Sequence, residues 1–203
     1  MRLLRAKAAR KTLNFYRTAF GLHAPYTVLV DGTFVHHATG AVKTNLAGRL
    51  AKVLGRGAKF AVPAAVLDEL RELGDAAADA LAFCRRFCEV LGAPGHLAAA
   101  DAVLHLVGEH NERKYVVATN DQMLQRRVRS VPGAPLVYFT GTVLVVDPPS
   151  KASVRGARQK ERGAGHLDAD EAALAKRLKR AQRAEAAAAA PKLQRRSKKK
   201  RRH

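Results

Sequence analysis

An α/β fold is predicted, with a mostly parallel sheet sandwiched by helices, and three observations predict it. Short apolar runs recur along the middle of the chain and alternate with stretches of helical periodicity. The runs are continuous rather than alternating, as strands covered on both faces are. Charge segregates as well. Residues 21–150 carry 13 basic and 12 acidic side chains, residues 1–20 carry 6 basic and no acidic ones, and residues 151–203 carry 18 basic and 5 acidic ones. A nearly neutral domain over 21–150 is therefore expected between a basic N-terminal helix (1–20) and a basic tail (151–203).

Residues 2–19 read as a helix, with Leu4, Ala8, Leu13 and Phe20 loosely at helical spacing. Gly21 and Pro25 stop it, and Tyr26–Val30 is the first strand. Val42, Leu46, Leu50 and Val53 share one helical face that ends at Gly55 and Gly57. Lys59 to Val62 is a second strand, and Pro63 suits the start of the helix that carries Val66, Leu67, Leu70 and Leu73. Residues 75–90 read as one Ala-rich helix, followed by a loop at Gly92, Pro94 and Gly95 and a helix from about Ala98 to Val107. Tyr115 to Thr119 is a third strand, 121–129 a helix, and Pro135 to Phe139 and Val143 to Val146 two more strands. Pro148 and Pro149 close the domain. Beyond 150 the pattern dissolves. One Ala-rich helix is expected over 168–190, and the rest of the tail is expected to be largely disordered without a partner.

The net charge is +20, concentrated at the ends. Cationic arms favour polyphosphate, because each neutralised phosphate releases counterions. Arg2, Arg5, Lys7, Arg10 and Lys11 at one end and Lys198, Lys199 and Lys200 at the other are candidate nucleic-acid contacts. Arg126, Arg127 and Arg129 join them in the middle. The run Lys198–Arg202 has the composition of a nuclear or nucleolar address. No apolar run reaches the ~20 residues a membrane helix needs. Two cysteines offer no disulfide framework.

Asp31 and Asp121 follow the first and third predicted strands, at the end of an α/β sheet where functional crevices lie. Glu69 and Asp101 lie on helices that can line the same crevice. Four converging carboxylates repel one another and call for a cation. An all-oxygen set suits Mg²⁺ or Mn²⁺, which in pairs promote phosphodiester hydrolysis.

Asp31, Glu69, Asp101 and Asp121, with Thr119 in the Thr-x-Asp position, resemble the acidic tetrad of PIN domains. Arg5-Ala6-Lys7, Asn14-Phe15-Tyr16, Val28 to Phe34, Val117 to Asp121 and Val131 to Leu136 together resemble the U-three-protein-twenty-three family, PIN proteins of the small-subunit processome. Asp31-Gly32-Thr33-Phe34 favours that branch over its sister, the FAF-one copurifying factor. The resemblance spans about residues 5–150. It implies a PIN-like fold and a nucleolar role in early 18S rRNA maturation and ribosome biogenesis. The implied partners are pre-rRNA, an H/ACA-type small nucleolar RNA and other processome proteins. Within the resemblance, an RNA-binding assembly factor is weighed above an active metal-dependent endoribonuclease cleaving single-stranded pre-rRNA, and the enzyme question stays open. A general basic protein without a site is the third reading.

The family also implies a Cys-Cys-His-Cys zinc motif. Cys88 and His96 fit its first Cys and its His, but Ala93 and Ala102 stand near the other two positions. Cys84 and His105 are the substitutes at hand, giving Cys84, Cys88, His96 and His105 as a tetrahedral set. The i, i+4 spacing of the two cysteines equally suits helix packing, and that reading is preferred over zinc. His36 and His37 are read as loop residues.

Overall fold

The computed structural model describes residues 2–40, 42, 45–54 and 57–165. Residues 1–160 form one compact unit, and 161–203 a second, of which only the helical stretch 161–165 is described. Six strands, β1 (Tyr26–Val30), β2 (Ala58–Pro63), β3 (Cys88–Leu91), β4 (Tyr115–Ala118), β5 (Leu136–Thr140) and β6 (Val143–Val146), form one sheet in the order β3-β2-β1-β4-β5-β6. Every pairing is parallel except β5 with β6, where the five-residue and four-residue strands turn back on each other at Gly141 (φ +58°). The central strands are apolar on both faces because helices cover both: Val28, Leu29, Val30, Val116, Val117 and Ala118 are all fully buried.

The helices are α1 (Arg2–Phe20), α2 (Gly32–Gly40), α3 (Leu46–Leu54), α4 (Ala64–Glu72), α5 (Ala78–Phe87), α6 (Ala99–Val107), α7 (Gln122–Ser130) and α8 (Lys151–Gly165), with a short 3₁₀ turn at Gly74–Ala77. α1 and α3 pack on each other and on β6, while α4 packs against α2, α5 and α6, and α6 against α7. Residues 1–20, set apart by charge, share the core. Ala9, Thr12, Leu13, Tyr16 and Phe20 are buried along one face of α1, and Arg5, Lys7, Arg10, Lys11 and Arg17 are exposed on the other. Ala8, expected on the apolar face, is exposed.

Three elements differ from the sequence-based expectation. Residues 32–40 form α2, so His36 and His37 stand on a helix rather than in a loop. Thr33, Val35 and Thr39 are poor helix formers, and the helix holds because Phe34, Val35 and Ala38 are fully buried. The stretch 75–90 is not one helix. It ends at Phe87, and Cys88–Leu91 peel away as the edge strand β3, in register with β2 from Phe60↔Cys88 to Pro63↔Leu91. This strand is half-buried at most, so no apolar run announced it. Residues 151–165 are helical where irregular chain was expected. The Ser150 hydroxyl accepts the Ser153 backbone N–H at 3.1 Å, starting α8, and Ser153 and Ala157 are buried against the unit. The helix expected over 168–190 lies outside the described residues.

Ser153 also explains how both ends meet. Its hydroxyl oxygen accepts the Gly133 backbone N–H at 3.1 Å and lies 3.4 Å from the Tyr16 hydroxyl, which donates to it. The Tyr16 phenol is buried, and that burial pushes its pKa up.

Candidate functional site

Strand order decides where the site falls. β1 is flanked by β2 on one side and β4 on the other, so the chain winds in opposite senses from this pair and leaves a crevice beyond their carboxyl ends. Asp31 follows β1 directly, and Thr119, Asn120 and Asp121 follow β4.

The two turns are bound to each other through hydroxyls. Asp31 is only 4% exposed, and its Oδ2 accepts the Thr119 hydroxyl at 2.8 Å and the Thr33 hydroxyl at 2.5 Å. Each hydroxyl in turn accepts a backbone N–H: Thr119 that of Asp121 in its own turn at 3.0 Å, and Thr33 that of Asn120 across from the opposite turn at 3.2 Å. The Gln125 amide donates to the Thr119 carbonyl at 3.0 Å, and the Asn120 side chain accepts the Phe139 N–H at 2.9 Å. Oδ2 of Asp31 is thereby committed, which leaves Oδ1 to serve other partners. Asp121 caps α7, its Oδ1 accepting the Met123 N–H at 2.8 Å.

Glu69 arrives from α4. A Cβ placed on Gly32 would meet the Val66 and Leu70 side chains at 3.5 Å, so α4 packs directly on the turn that carries Asp31. The pKa of the Glu69 carboxyl is raised. The part of the side chain lying against the protein loses hydration, and Asp31, Glu72 and Asp121 add like charge. Asp101, on α6, is committed differently. Its carboxylate pairs with Arg127 of α7 at 2.7 Å, both side chains about half exposed. The structure thus joins Asp31, Thr119 and Asp121, sets Glu69 in their field, and gives Asp101 an arginine. Among the described residues no three His, Cys, Asp or Glu side chains stand close enough to hold one metal ion.

The cysteine–histidine set is not assembled. Cys84 is buried on α5 and Cys88 opens β3. The neighbouring Cys84 thiol, with burial, pushes the Cys88 thiol well above the ordinary thiol range. His96 and His105 are both exposed.

The basic candidates divide. Arg5, Lys7, Arg10, Lys11 and Arg126 are exposed, whereas Arg127 is paired with Asp101 and Arg129 with Asp147 at 2.7 Å. The side chain of Arg2 and residues Lys198, Lys199 and Lys200 lie outside what is described. Sequence reasoning passed over Thr33, Asn120 and Gln125. A signal for Thr33 was present: it stands two residues after Asp31, as Thr119 stands two before Asp121.

Comparison with known proteins agrees with this geometry. The family profile Fcf1 matches residues 52–148. The chain is 32% identical over 172 residues to the rRNA-processing protein utp23 of Schizosaccharomyces pombe, covering 79% of this chain and 63% of that protein. It is 28% identical over 135 residues to the rRNA-processing protein FCF1 of Saccharomyces cerevisiae, covering 66% of this chain and 70% of that one. The match therefore spans under two thirds of the utp23 relative's length. Among solved structures, the PIN domain endonuclease Utp24 superposes with a TM-score of 0.57 at 28% identity, over 62% of this chain and 94% of that one.

Proposed function

We propose, for a chain that belongs to the PIN-domain family of rRNA-processing proteins, that it works in rRNA processing and ribosome biogenesis as an RNA-binding assembly factor of the small-subunit processome. Pre-rRNA, an H/ACA-type small nucleolar RNA and other processome proteins are its partners, and the nucleolus is its place of work. The observation that carries the assembly role over cleavage is the Asp101–Arg127 ion pair. The fourth acid of the tetrad is neutralised from within the chain.

Asp31, Glu69 and Asp121 offer the oxygen donors a hard divalent cation takes, although the three do not stand close enough to hold one ion together, and the raised proton affinity of Glu69 is the sign of a negative field that a cation would relieve. Asp101, held by Arg127, does not fit without giving up that pair. A bound Mg²⁺ or Mn²⁺ would supply Lewis-acid activation of a water or phosphate oxygen. Thr119 and Thr33 orient Asp31, and the α7 cap fixes Asp121, whether the crevice docks RNA or hydrolyses it. The exposed cations of α1 and the C-terminal basic run hold phosphate.

The test is Asp31→Asn combined with Asp121→Asn in cells. Maturation of 18S rRNA proceeds normally if the protein acts as an assembly factor. Loss of maturation, together with Mn²⁺-dependent cleavage by the purified wild type that the double variant lacks, would establish the endoribonuclease instead.

A further inference from the structure

We propose that the rim of the sheet opposite the acids carries a stacking platform for single-stranded RNA, built by Phe87 with Arg85, Arg86 and Lys59; this rests on the RNA-binding reading above. Phe87 ends α5 and immediately precedes β3, so it lies at the amino ends of the parallel strands, whereas Asp31 and Asp121 lie beyond their carboxyl ends. It is 49% exposed, and among the described residues no other aromatic ring appears with the exposed large apolar side chains. The ring is nonetheless fixed. Phe60 in the core meets Phe83 edge-on with centroids 5.5 Å apart, and Phe83 meets Phe87 at 5.1 Å. A column of three rings thus runs from the core to the surface and holds the outermost one in place.

Charge identifies the occupant. The Arg86 guanidinium carbon lies 5.1 Å from the centroid of the Phe87 ring. Arg85 is exposed, and no carboxylate in the described residues pairs with either arginine. Lys59 is exposed near the amino end of β2, the strand that pairs with β3. One acid, Glu89 of β3, is exposed close by. A rigid ring in contact with one arginine, with Arg85 and Lys59 exposed on the adjoining α5 and β2 and a single exposed acid, Glu89, two residues on, matches a nucleotide: the base stacks on Phe87 and the phosphates meet the guanidinium and ammonium groups. An apolar protein surface would leave the two arginines without partners. The exposed Val90 on the edge strand β3 extends the contact area for the sugar or a second base.

The chain has no tryptophan, so Phe87→Trp places a single reporter in the full-length protein. Saturable quenching of its fluorescence by a mixed-sequence single-stranded RNA is expected, with no comparable quenching by heparin, which supplies charge without bases. In polarisation assays with labelled RNA at about 0.2 M salt, Phe87→Ala should weaken binding at least about fivefold. Arg85→Gln with Arg86→Gln should reduce the salt slope by about 1.4, two single-strand phosphate contacts. RNA that binds the full chain while the tryptophan signal stays still and Phe87→Ala binds like wild type would overturn the platform. A protein partner lost on Phe87→Ala, with RNA binding intact, would reassign the surface to protein docking. Failure of the wild type to bind RNA at all would sink the RNA-binding reading, and this proposal with it.

Discussion

The hydroxyl of Thr119 makes two bonds that no other atom replaces. It donates to the buried Asp31 and accepts the Asp121 N–H, and the residue itself is fully buried. Thr119→Val keeps the shape and removes both, leaving Asp31 with one hydroxyl donor in place of two. A loss of about 1–3 kcal/mol is expected, measured by urea denaturation. Glu69 behaves oppositely. Its carboxyl holds a proton more tightly in the folded state than in the unfolded chain, through partial desolvation and the charges of Asp31, Glu72 and Asp121. Stability therefore falls as pH rises from the ordinary glutamate value of about 4.3 through the raised one, and stays lower above it. Glu69→Gln removes that penalty. Its Tm should exceed the wild-type value at neutral pH, by no more than about 2 °C given the exposure of the side chain. The gain should close below pH ~4, where both states of the wild type are protonated. A gain that persists in acid would place its cause outside Glu69 ionisation.

At the scale of elements, Asp121 has a structural duty separable from its charge. As the cap of α7 it accepts the Met123 N–H. Asp121→Ala should cost about 1 kcal/mol, while Asp121→Asn, itself a good cap, should leave denaturation nearly unchanged; this is why the asparagine variant is the one suited to functional tests. The turn after α7 is equally constrained. Gly133 adopts φ +79°, and a Cβ there would lie 2.6 Å from Cδ1 of the buried Phe20 ring. Gly133→Ala should destabilise by about 2–4 kcal/mol, read from chemical denaturation. Elements with a dense local signature were legible in the sequence: β1 was placed at its observed bounds, and β2, β4, β5 and β6 within a residue or so, because runs such as Tyr26–Val30 are rich in β-branched and apolar residues and end at turn residues. The elements that escaped take their stability from elsewhere. α2 forms through burial of Phe34 and Val35 despite weak propensity, and β3 through pairing with β2. α8 depends on a serine cap and on Ser153 reaching Tyr16 and Gly133. The acids at strand ends were readable for the same reason as the strands. Thr33 had a local signal, its place two residues after Asp31, but its bond to the Asn120 N–H crosses 87 positions of chain and the pairing of Asp101 with Arg127 crosses 26, which no local pattern records.

At the scale of the whole molecule, charge and chemistry are set apart. Asp31 and Asp121 lie beyond the carboxyl ends of the central strands within a nearly neutral segment, with Glu69 in their field, and the excess of positive charge lies on α1 and in the C-terminal run. If the cations supply the grip, affinity for single-stranded RNA must fall steeply with salt, by a slope of about 0.7 per phosphate contacted. Replacing Lys198, Lys199, Lys200, Arg201 and Arg202 with glutamine should then lower the magnitude of that slope by up to about 3.5. Asp31→Asn with Asp121→Asn should leave the slope unchanged and the affinity equal or slightly higher, since two negative charges leave the neighbourhood of the strand. Both arms are read from fluorescence polarisation across a salt series on the full chain, with circular dichroism to confirm that each variant folds. A double asparagine variant that folds yet loses its RNA would move the grip from the basic extensions to the crevice. The acids would then be the centre of recognition rather than a feature that the cations merely surround.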